Sequence, residues 1–113
     1  MEKQKKIVNN KNYGFVYTVL GSLLEAQKIA QICLEQKLVA CANIFPPILS
    51  MYEWNAQYQK EEEIVLLLKT RKDLFKELCK TIKDHHSYTC PCIVFLPITD
   101  AYSPFLSWMD SKI

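Results

Sequence analysis

Apolar residues along this chain switch between a period of two and a period near 3.6, and the switches mark its elements. Phe15-Val16-Tyr17-Thr18-Val19-Leu20 is rich in β-branched and aromatic residues and predicts a first strand, which Gly21 ends. Ser22 followed by Glu25 reads as a capping box, in which the serine accepts from a free backbone amide and the glutamate reaches back. The helix it opens carries Ala26, Ile29, Ala30 and Cys33 on one stripe and should end near Gln36-Lys37, where cations suit the negative pole of the helix dipole.

Leu38 to Ile44 returns to strand character, with Ala40, Ala42 and Ile44 assigned to one face and Cys41 and Asn43 to the other. Pro46-Pro47 cannot sit inside a central ladder and marks a bulge or an edge. Extended character resumes over Ile48–Trp54. Asn55-Ala56 is a plausible hairpin turn, although alanine stands where glycine would be easier. The return arm runs through Glu61-Glu62-Glu63 into the core strand Ile64–Leu68, and the hairpin looks long enough to project beyond the domain.

Thr70 and Asp73 read as a second capping box, opening a helix from Arg71 with Leu74, Leu78 and Ile82 along one side. A strand follows over Cys92–Ile98. Ser103 as N-cap and Pro104 at the first helical position open a short final helix containing Leu106 and Trp108.

This order predicts an α+β fold, a ferredoxin-like βαββαβ sandwich with an extended hairpin between its middle strands and a short C-terminal helix. Residues 1–12 are expected to be a flexible polar tail and residues 13–113 a single domain. Two helices cover only one face of such a sheet, yet Ile64–Leu68 and Ile93–Leu96 are apolar on both faces. The simplest cover for the second face is another copy of the chain, so a homo-oligomer is expected.

Composition narrows the function classes. Of 113 residues half are hydrophobic and only two are glycine, which fits a compact domain with few flexible loops. The formal charge is +2. Lys3, Lys5, Lys6 and Lys11 against Glu2 place three net positive charges in the first twelve residues, so the remainder is slightly acidic and offers no basic face for nucleic acid. No run approaches the ~18–20 apolar residues that span a bilayer. No signal-peptide core is evident, and five cysteines embedded in apolar patterns fit a reducing compartment, so a cytoplasmic protein is expected. No serine–histidine–carboxylate set, phosphate loop or catalytic carboxylate pair points to an enzyme.

The densest chemistry is His85-His86-Ser87-Tyr88-Thr89-Cys90-Pro91-Cys92, at the seam between helix and strand. Imidazole and thiolate hold soft or borderline metals, so His85, His86, Cys90 and Cys92 are the candidate metal ligands, for copper (Cu(I) or Cu(II)) or zinc. The two histidines project about 100° apart on a helix and converge only if the helix ends between them. Cys90 and Cys92 face the same side of an extended chain, with Pro91 biasing Cys90 toward that shape. The alternative is structural: one histidine closes the helix C-terminus and the cysteines pack as small apolar groups. Elsewhere, Glu61–Glu63 reads as a solvated edge. Tyr52, Trp54, Tyr58 and Trp108 read as packing anchors rather than the lining of a cleft between subunits, and Asn43 and Lys69 as satisfied structural polar groups rather than anion contacts between subunits.

Together these segments resemble the CutA family of divalent-cation tolerance proteins. The matching words are Leu38–Ile44, Ser50-Met51-Tyr52-Glu53-Trp54, Glu63–Arg71, His86-Ser87-Tyr88 with Pro91, Leu96-Pro97-Ile98, and Tyr102 to Trp108. The resemblance implies a ferredoxin-like fold and a tight homotrimer with inward-facing sheets and clasping hairpins. It also implies a role linked to copper and other divalent cations, and an architecture similar to the trimeric PII signalling proteins. A PII-like module binding a small anionic ligand between subunits, or a purely structural trimer, are the alternatives. In some bacterial members a strand cysteine and a His-His pair bind copper; the pair corresponds to His85 and His86, the cysteine to Thr18, and a common glutamate to Cys92.

Overall fold

The structure, a computed structural model, describes residues 12–113. Most of the expected polar tail, 1–12, therefore lies outside the described residues. The chain runs β1 (Tyr13–Leu20), α1 (Leu23–Glu35), β2 (Cys41–Ile44), β3 (Ile48–Trp54), β4 (Gln57–Arg71), a 3-10 turn (Lys72–Leu74), α2 (Phe75–His85), β5 (Ile93–Pro97) and α3 (Ser103–Lys112). Strand order is β2-β4-β1-β5, all antiparallel, with β3 paired to the first half of β4. This is the α+β, ferredoxin-like arrangement, with the proline pair splitting one of its strands into β2 and β3.

Alternation along β1 separates the two sheet faces. Val16 and Leu20 point to α1 and α2 and join Ala26, Ile29, Ala30, Cys33, Leu66, Leu68, Leu78 and Ile82 in the main core. Among the described residues the opposite face is covered at one corner, where α3 sets Met109 against Tyr13 and Ala40. Ala40 thus faces away from Ala42 and Ile44, contrary to the sequence assignment, because the chain is still bending before β2 begins. Along the rest of that face Phe15 pairs with Leu96 and Tyr17 with Val94 and Leu67, and Val94 and Leu96 remain 43% and 44% exposed.

Three local expectations are corrected. Ser22 Oγ accepts from the Glu25 amide at 3.2 Å, but the Glu25 carboxylate bonds Ser87 instead of returning to its own helix. Thr70 does not cap: its buried hydroxyl donates to the Leu38 carbonyl at 2.6 Å, while Asp73 pairs with Arg71 at 3.0 Å. Tyr102, not Ser103, occupies the N-cap of α3. The large majority of buried hydroxyls are hydrogen-bonded, and for Thr70 a carbonyl in the core outweighs an exposed cap. The first helix ends in a Schellman motif, with Lys37 N–H on Leu34 O and Leu38 N–H on Cys33 O. Lys37 there adopts φ 58°, a conformation glycine takes more easily.

Asn55 and Ala56 turn the hairpin with φ 52° and 64°, as a two-residue type I′ turn demands. The arm they close makes the molecule 56 Å long and 24–26 Å across. Gly14 is fixed for a different reason. A methyl group there would lie 2.6 Å from the Leu96 carbonyl oxygen and collide with the Phe95 ring, so only glycine lets β5 close on β1.

Candidate metal centre

The helix does end between the two histidines: His85 is the last residue of α2, and His86 has the extended angles φ −88°, ψ 137°. The break sends the two rings to different surroundings. His86 turns inward and is 9% exposed. Its Nε2 lies 2.8 Å from the Val19 carbonyl oxygen and its Nδ1 3.1 Å from the Tyr88 amide nitrogen. A carbonyl only accepts and an amide N–H only donates, so Nε2 carries the proton and Nδ1 supplies its lone pair to Tyr88. Both nitrogens of this neutral ring are committed, leaving no lone pair for a metal.

His85 is exposed. Its Nδ1 lies 2.9 Å from the Thr81 carbonyl oxygen, which assigns the proton to Nδ1 and leaves Nε2 open to solvent as an acceptor or ligand. One histidine of the pair remains available, and it is the outer one.

The following residues complete the inner network. Ser87 gives both its amide and its hydroxyl to Glu25, at 2.6 and 3.0 Å. The Tyr88 hydroxyl donates to Glu63 Oε2 at 2.5 Å, and its ring packs 4.8 Å from that of His86. Burial, then the hydrogen bond to Glu63 and its charge, then Glu61 and Glu25, hold the Tyr88 phenol well above its ordinary pKa of 10.0. Glu25 and Glu63 were missed as site residues. Glu63 stood within an apparently solvated charge run, and Glu25 was absorbed by the capping-box pattern.

Cys90 and Cys92 are exposed free thiols in the short irregular segment before β5. Thr18 is wholly buried on the helix side of β1, paired with Leu66 and Ile93, and its hydroxyl has no partner among the described residues. The four candidate ligands therefore do not converge within one chain: His86 is consumed inside, while His85, Cys90 and Cys92 stay at the surface. Among the described residues no three or more His, Cys, Asp or Glu side chains gather as a metal-holding group.

The other candidates separate as clearly. Tyr58, Trp54 and Tyr52 project from the hairpin, 85%, 65% and 39% exposed, while Trp108 stacks on Phe105 at 6.0 Å. Lys69 Nζ lies 5.4 Å from the centre of the Phe105 ring, a cation–π contact, and Asn43 is exposed.

The model of the "CutA1 divalent ion tolerance protein" family matches residues 14–112, nearly the whole described fold. The chain belongs to this family. "Divalent-cation tolerance protein CutA" of Archaeoglobus fulgidus is 41% identical over 101 residues, covering 89% of this chain and 98% of that protein. Among solved structures, CutA1 from Ehrlichia chaffeensis superposes with a TM-score of 0.86 at 35% identity, over 90% of this chain and 95% of that one. CutA1 from Oryza sativa does so with a TM-score of 0.86 at 31% identity, over 89% and 93%. The CutA1 match spans the seam but carries no assignment of ligands to it. Of the four candidate ligands, two thiols and one imidazole nitrogen stay open at the surface, donor types that hold soft or borderline metals.

Proposed function

We propose that this chain acts in divalent-cation tolerance as a non-enzymatic homotrimer that binds copper, with zinc as the competing ion, in the cytoplasm. The observation that carries the reading is the open sheet face. Phe15, Tyr17, Leu67, Val94 and Leu96 form an apolar surface that α3 leaves uncovered, and the exposed arm residues Leu49, Met51, Trp54 and Tyr58 extend it. Copies of the chain packing sheet to sheet bury this surface, and arms reaching across to neighbours bury their own apolar side chains. The five cysteines are all free thiols, which supports a reducing compartment.

Light scattering at micromolar concentration tests the assembly: three chains are expected, and a stable monomer would overturn it. Thermal shift tests the ligand. Copper at 100 times its dissociation constant should stabilise the fold by about 2.7 kcal/mol. A shift with nucleotides and none with metals would instead favour the PII-like reading, in which Lys69 serves an anion between subunits. No shift with either leaves a structural trimer.

A further inference from the structure

Of the five cysteines only Cys90 and Cys92 are exposed; Cys33 is wholly buried, with its thiol pushed up to about 11 by that burial, and Cys41 and Cys79 are partly covered. The exposed thiols of this chain thus lie in one tripeptide, Cys90-Pro91-Cys92. We propose that this tripeptide is a dithiolate clip for Cu(I), independent of the histidines.

Among the described residues neither thiol has a hydrogen-bond partner to surrender, and both are exposed, outside the core. Both ends of the segment are held. On one side Ser87 is tied to Glu25 and Tyr88 to Glu63; on the other, Ile93 enters the β-ladder opposite Thr18. Only residues 89–92 lie between the two anchors, so little chain entropy is lost when they close on an ion. Pro91 fixes its own φ and keeps Cys90 out of helical angles. The chain bends at Cys90 and has no regular structure through Cys92, and residues i and i+2 stand at most about 7 Å apart at Cα, within the span of one ion. Two thiolates one residue apart, both exposed, satisfy Cu(I), a soft ion content with few ligands, and fall short of the four that zinc takes. Binding displaces one proton from each thiol and changes no oxidation state. His86 takes no part, because both its nitrogens are engaged.

This inference rests on the copper-binding part of the function proposed above, and the test separates the two. The full-length protein, reduced and anaerobic, is titrated with Cu(I) against a chromogenic Cu(I) chelator. Wild type, Cys90→Ser, Cys92→Ser, the double variant and His85→Ala are compared, with the oligomer mass of each measured by light scattering. Loss of a secondary contact already weakens metal sites by about 10–100-fold, so each cysteine variant should lose more than about 100-fold in Cu(I) affinity with its mass unchanged. His85→Ala should lose less than about tenfold. A double variant that binds Cu(I) as tightly as wild type overturns the clip while leaving copper binding intact. A wild type that binds no Cu(I) overturns both, and assembly is then judged by mass alone.

Discussion

His86-Ser87-Tyr88 and Cys90-Pro91-Cys92 are neighbours in sequence and opposites in structure. The first tripeptide spends its polar side chains on the fold: Val19, Glu25 and Glu63 receive its hydrogens, and the His86 ring accepts from the Tyr88 amide. The second makes none of these bonds and leaves its two sulfur atoms in water. A cluster that looks uniform by composition is therefore divided by burial. Side chains that complete the core are unavailable for chemistry, and those available for chemistry hold little of the fold together.

That contrast can be broken by mutation. His86→Ala should have the largest effect, because it strands the Val19 carbonyl and the Tyr88 amide; a loss of about 3 kcal/mol in urea unfolding is expected. Unchanged stability would show that His86 is not a structural ring. Tyr88→Phe removes a hydrogen bond to a carboxylate and should lose about 2 kcal/mol.

Tyr88 also sets a pH dependence. Its phenol is raised above 10.0 in the fold, as is that of Tyr13, which burial and the hydrogen bond to Asp110 lift to about 12. A raised phenol contributes stability that is complete below the unfolded value near 10 and is lost as pH climbs toward the folded value. Stability should therefore fall above pH ~10, and Tyr88→Phe should flatten that fall. Glu25→Ala frees two Ser87 donors that solvent can reach, so about 1 kcal/mol is expected. Last, Cys90→Ser with Cys92→Ser should leave the midpoint of unfolding within about 0.5 kcal/mol of wild type. A larger loss would mean that the thiols belong to the core after all.

The architecture was legible in the chain because its signals are local. Periodicity placed the strands and helices, Pro46-Pro47 marked the split strand, and doubly apolar segments such as Ile93–Leu96 disclosed the uncovered face. What the sequence concealed were the partners of polar side chains. Glu25 and Ser87 lie 62 positions apart, and His86 and Val19 lie 67 apart. Nothing in either neighbourhood announces such a meeting. Thr70 misled for the same reason: its short-range pattern fits a cap, but folding brings the Leu38 carbonyl within reach. The break between His85 and His86 could be anticipated; which ring would turn inward could not.

β4 belongs to two different environments along one unbroken strand. From Ile64 onward it pairs with β1 and then β2, with helices above it; before Glu63, among the described residues, β3 is its one strand neighbour and most of its side chains are exposed. The amides of a single strand therefore sit in two units of different opening free energy, with the boundary near Glu63. In an isolated chain the arm can fray and reclose while the domain stays intact. In the proposed trimer, subunits clasped by such arms would exchange without any chain passing through the unfolded state.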